Sequence, residues 1–130
     1  MLTANNYSDI QILQGSDFLY ELEFDASHND ADFDDEGLSP YSYRARLAKD
    51  FTNATTFLYD GSPVTAVLLT VGKIDAYNIK ITMDAEGTAK FPDDFDGVWD
   101  LLEKKNEEYV RQMQGDAVIS PMVTQPGDFG

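Results

Sequence analysis

Seven consecutive residues, Phe18-Leu19-Tyr20-Glu21-Leu22-Glu23-Phe24, carry large apolar side chains at every second position and glutamates at two of the positions between. In an extended chain successive side chains point to opposite faces, so Phe18, Tyr20, Leu22 and Phe24 share one face while Glu21 and Glu23 take the other. A helix would scatter this pattern around its axis; a half-buried β-strand uses it directly. The same period returns in Tyr41-Ser42-Tyr43-Arg44-Ala45-Arg46-Leu47-Ala48-Lys49, with Tyr43, Ala45 and Leu47 facing in and Arg44 and Arg46 facing out. Ile10-Gln11-Ile12-Leu13 precedes the first run across Gly15-Ser16, as a consecutive strand or as one strand broken by a bulge.

Turn chemistry separates the remaining extended segments. Thr55 to Tyr59 is a short β-rich run closed by Asp60-Gly61-Ser62-Pro63, and Val64 to Val71 and Tyr77 to Met83 are β-branched segments that an antiparallel hairpin connects economically. Asp84 is placed to cap a single helical turn that Glu86 and Gly87 end quickly. Val98 to Lys104, a turn at Lys104 to Glu107 and a strand over Glu108 to Ile119 form a C-terminal hairpin. Seven or eight short strands without a long helical pattern predict an all-β chain, a sandwich first and a closed barrel second. Phe18, Tyr20, Leu22, Tyr43, Leu47, Ile79, Ile81, Trp99 and Leu101 fall on inward phases and are the predicted core. One domain is expected over residues 1–130, its core at about 9–124. Met1 to Ser8 and Thr124 to Gly130 lie outside the pattern as flexible arms, and the acidic segment Asp25 to Pro40 reads as an exposed loop.

Composition narrows the chemistry. The absence of cysteine removes disulfides, thiolate metal sites and a cysteine nucleophile. Twenty-four acidic residues against nine basic ones give a formal charge of −15, which repels nucleic-acid phosphates and anionic membranes. No stretch approaches the roughly 18 apolar residues of a membrane-spanning helix.

The candidates for specific chemistry are few. Asp30, Asp32 and Asp34 alternate as the oxygen ligands of a calcium loop do, but an EF-hand register from Asp30 puts Asp35 where glycine is needed and Tyr41 where glutamate is needed. A solvated loop is the plainer reading. Asp93, Asp94 and Asp96 cluster in a turn without the opposed geometry of a glycosidase pair, and the single histidine, His28, sits in the acidic loop without a partner that would orient it. The glycines show no phosphate-loop spacing. Trp99 with Tyr109 is a conceivable sugar-stacking pair, set against a core role for a tryptophan on a strand. No residue stands out as catalytic and no cofactor is expected. If the chain instead binds carbohydrate, two or more of Tyr7, Tyr59, Tyr109 and Trp99 have to be exposed on one flat face.

Five blocks occur in a characteristic order: Ile12, Gly15 and Phe18; Gly37-Leu38-Ser39-Pro40-Tyr41 running into Tyr43-Arg44-Ala45-Arg46-Leu47-Ala48-Lys49; Asp84-Ala85-Glu86-Gly87-Thr88; Gly97-Val98-Trp99-Asp100-Leu101; and Gly115-Asp116-Ala117-Val118-Ile119-Ser120-Pro121-Met122-Val123-Thr124. Together they resemble a family of small tailed-phage virion proteins similar to the N-terminal attachment domain of siphophage baseplate upper proteins. The resemblance implies an immunoglobulin-like antiparallel β-sandwich of seven to eight strands with at most one short helical turn. It also implies a non-enzymatic adaptor, made in the host cytoplasm and resident in the virion, that attaches tail fibres or joins tail, baseplate or neck proteins in several copies. Arg44 and Arg46, outward cations on an acidic chain, are the candidate partner contacts, set against the plainer role of neutralising nearby Asp and Glu within the chain.

Overall fold

The computed structural model describes residues 2–3, 6–23, 41–52, 54–75, 78–93, 95–105 and 107–121. Among these residues the chain forms β1 (Leu2–Thr3), β2 (Asn6–Tyr7), β3 (Ile10–Leu13), β4 (Phe18–Glu23), β5 (Tyr41–Ala48), β6 (Phe57–Tyr59), β7 (Ser62–Val64), β8 (Ala66–Asp75), β9 (Asn78–Met83), α1 (Ala85–Ala89), β10 (Asp96–Lys105) and β11 (Glu108–Ser120). The protein is all-β. Seven of these strands have four residues or more; β6 falls in the expected Thr55 to Tyr59 run, β7 takes up Ser62 and Pro63 of the expected turn, and β1 and β2 are two-residue additions.

Two layers arise because β8 belongs to both. Its first half pairs antiparallel with β5 from Ala48↔Ala66 to Ala45↔Leu69, and its second half pairs antiparallel with β9 from Thr70↔Thr82 onward. One layer therefore runs β4–β9–β8 and the other β8–β5–β10–β11, with β3 lying parallel to the end of β11. The chain crosses between layers from β4 to β5 and from β9 to β10, while β8–β9 and β10–β11 are hairpins. That is the strand order of an immunoglobulin-like sandwich, with β8 turning the corner.

Local signals explain the connections. Asp60 and Gly61 have φ of 55° and 77°, the left-handed pair that a two-residue turn between β6 and β7 requires. The side chain of Asp84 caps α1 by accepting the Gly87 N–H at 2.7 Å, and the helix stops after five residues.

The predicted inward residues meet between the layers. Leu22, Tyr43, Leu47, Ile79, Ile81, Trp99 and Leu101 are buried in one cluster, and Phe18 and Tyr20 pack against it half-buried. Phe91 and Phe95 join them, although the acidic turn around Phe95 gives no hint of it: Phe95 stacks 4.6 Å from Phe57, and Phe91 sits edge-on to Tyr59 at 4.9 Å. Asp93 and Asp96 stay exposed while the ring of Phe95 closes one end of the core. Glu103 is buried too, opposite Tyr43, whose hydroxyl donates to it at 2.8 Å.

Burial raises Tyr20 and Tyr59 above the ordinary tyrosine range, and at Tyr59 the carboxylates of Asp84 and Asp60 add to the effect. A raised value means the fold favours the neutral phenol, so this stability is complete below the unfolded-state value near 10 and is lost as pH rises through the folded values. Stability should therefore fall above about pH 10, and the Tyr20→Phe/Tyr59→Phe variant should show a shallower fall. Denaturant midpoints followed from neutral to strongly alkaline pH check this; parallel curves for the two proteins would contradict it.

The N-terminal segment differs from the prediction. Residues 2–3 and 6–7, expected outside the strand pattern, extend both layers: β1 runs parallel to β4, and β2 runs parallel to β11 at Met113↔Asn6 and Gln114↔Tyr7. Backbone pairing needs no apolar periodicity, so the pattern could not announce it. The segment Asp25 to Pro40 and the C-terminal residues Thr124 to Gly130 lie outside the described residues.

Candidate functional site

Alternation sends every second residue of β5 outward, and the antiparallel register carries the same parity onto its neighbours. Arg46 stands opposite Asp100 on β10 and Leu68 on β8, and Arg44 stands opposite Leu102. On β11 the register with β10 shifts between Leu101 and Leu102, so that Leu101 faces Met113 but Leu102 faces Arg111. The extra residue, Gln112, is a β-bulge, and it brings Arg111 onto the same outer face as Arg44 and Arg46. These three are all the arginines in the sequence.

They rim a groove of about 320 Å³ whose apolar end is formed by Ala48, Ala66, Val98 and Phe51. Arg111 pairs with Asp100 at 3.2 Å, and Arg44 donates to the Tyr43 carbonyl at 2.8 Å. Arg46 has no ion-pair partner among the described residues. Beside the arginines, Leu68 and Phe51 are 56% and 49% exposed. A planar guanidinium fork next to unburied aliphatic and aromatic surface is the composition of a binding patch, since arginine and aromatic residues are enriched where proteins meet.

Among the described residues the other candidates are not assembled into a site. Trp99 is only 1% exposed. Tyr59 is half-buried and donates to the Gly87 carbonyl at 2.8 Å. Tyr109 is exposed, but Lys104 Nζ lies 5.6 Å from its ring centroid. Tyr7 pairs in register with Gln114, five residues from Tyr109 along β11, which places the two about 16 Å apart, beyond the span of one sugar ring. Asp93 and Asp96 are exposed at the entry to β10. Asp30, Asp32, Asp34, Asp94 and His28 lie outside the described residues.

Among the described residues no group of three or more His, Cys, Asp or Glu side chains is placed to hold a metal ion, and no helix is long and apolar enough to cross a membrane. No family model matches the chain, and no curated protein matches it.

Proposed function

We propose that the chain is a non-catalytic assembly module: an adaptor of a tailed-phage virion that joins fibre, baseplate, tail or neck proteins, present in several copies and using the outer face of the β5–β10–β11 layer as its contact surface. The observation that carries the assembly reading is the convergence of Arg44, Arg46 and Arg111 beside exposed Leu68 and Phe51. On a chain of charge −15, gathering every arginine on one sheet face sets three cations against Asp50 and Asp100 in the groove lining, a local excess of positive charge that favours docking of a carboxylate-bearing surface in one orientation. The virion setting rests on the ordered sequence blocks.

The test is assembly of particles carrying Arg44→Ala and Arg46→Ala. Both side chains are exposed, so the variant should fold with stability within about 0.5 kcal/mol of the parent, while incorporation of the fibre or neighbouring protein should drop. Complete and infectious particles lacking this protein altogether would defeat the adaptor reading.

A further inference from the structure

The outer face of the opposite layer has the reverse character. On β4, Leu19, Glu21 and Glu23 point outward; on β9, Lys80 and Thr82 do. Glu21 stands opposite Lys80 and balances it, which leaves Glu23 in excess, together with Asp17 and Asp84 at the end of the layer. Asp17 and Asp84 accept backbone N–H groups of α1, from Ala85 at 2.8 Å and Gly87 at 2.7 Å, and so are held in place at the rim. A shallow groove on this face is floored by Leu19 and Ile74, which are 57% and 45% exposed.

We propose that copies of this chain associate head to tail, the arginine-bearing face of one copy seated on this acidic face of the next. The two faces lie on opposite sides of one sandwich, each with exposed aliphatic surface beside charged side chains: three arginines outnumber Asp50 and Asp100 on one groove, and Asp17, Glu21 and Asp84 outnumber Lys80 on the other, so the charges in excess are opposite. A two-fold contact through the arginine face would offer Arg44, Arg46 and Arg111 only Asp50 and Asp100 of the other copy, whereas the acidic face offers a larger excess of carboxylates, so the head-to-tail contact is the better matched. The contact is heterologous: repeated, it closes into a ring or runs on as a filament. The inference takes its setting from the assembly reading above, and its geometry from the two faces.

Net charge sets the conditions. At about 0.01 M salt the screening length is about 30 Å and whole copies of charge −15 repel; at about 0.15 M it is about 8 Å, leaving contact pairs but little long-range repulsion; at 1 M the contact pairs weaken too. Self-association should therefore pass through a maximum as salt is raised.

The experiment is sedimentation of the full chain at protein concentrations up to about 1 mM, of the order reached by neighbours in an assembly. Two neutralised variants are compared, Arg44→Gln/Arg46→Gln and Glu21→Gln/Glu23→Gln. Each alone should self-associate about tenfold or more weakly than the parent. Mixed, they should recover parental affinity but stop at a one-to-one dimer, because each retains one intact face and only the two intact faces match. A parent that stays monomeric at every salt concentration, or variants that associate as the parent does, would overturn the head-to-tail contact. If Arg44→Gln/Arg46→Gln nevertheless lowers fibre incorporation into particles, the adaptor reading stands and only this contact falls. If the parent associates as described but particles form normally without it, the reverse holds.

Discussion

Replacing Trp99 with alanine is expected to cost about 3–5 kcal/mol of folding stability, measured by denaturant unfolding with an unchanged slope. The indole is 1% exposed and lies between the layers on β10, with Leu47 opposite on β5 and Gly115 opposite on β11. Tyr20 meets it edge to face at 5.4 Å, an arrangement worth about 0.5–1.5 kcal/mol beyond the area it buries. Its Nε1 donates to the Ser8 carbonyl at 2.8 Å, so truncation leaves a cavity and an orphaned acceptor together. Trp99→Phe should recover part of the loss by refilling the space, but not the hydrogen bond. A cost below about 1 kcal/mol for the alanine variant would mean that the indole is not in the core, and would bring back the sugar-stacking role.

The parts of the fold legible in the sequence are those encoded locally. Side-chain period defines β4 and β5 and points Arg44 and Arg46 outward; Asp60-Gly61 supplies its own turn; Asp84 supplies its own cap. Each depends on residues within a few positions. What stayed hidden depends on cross-strand register. Arg111 reaches the arginine face only because Gln112 bulges, and Gln112 and Met113 are consecutive buried residues that break the parity on which a pattern relies. The change of layer along β8 is equally silent: Val67 and Leu69 are buried and Val71 half-buried, so alternation runs through the corner without a mark. Leu68 and Leu19 read as ordinary outward strand positions, and only their assembly beside opposite charges on the two faces gives them a role.

The docking of the N-terminal segment was the least legible feature, because its determinant is an absent side chain more than 100 residues away. A Cβ on Gly115 would lie 1.8 Å from the Ser8 carbonyl oxygen and 2.4 Å from its carbon, distances that only movement of backbone relieves. The space beside Gly115 is filled by the chain itself: the Ser8 N–H donates to the Gln114 carbonyl at 2.9 Å, the Ser8 hydroxyl accepts from Tyr20 at 2.9 Å, and Asp9 accepts the Asp116 N–H at 3.0 Å. Gly115→Ala should therefore expel Ser8, undo the pairing of β2 with β11 and leave the Trp99 N–H without its acceptor. Overpacking of this kind costs about 1–3 kcal/mol, and an unpaired buried donor adds about 1–3 kcal/mol. The cause can be separated from any intrinsic effect of alanine on β11 by a double-mutant cycle with a chain lacking residues 1–8. If the clash with Ser8 is the reason for the glycine, most of the penalty should vanish in the shortened chain, giving a coupling of about 1–3 kcal/mol between two changes distant in sequence. Hydrogen exchange gives the same answer residue by residue: in the full-length Gly115→Ala protein, the Ser8 and Asp116 amides should lose protection while the β4–β9 ladder keeps it. An equal penalty in both backgrounds would place the constraint in β11 alone and leave the docking of residues 6–8 without its proposed cause.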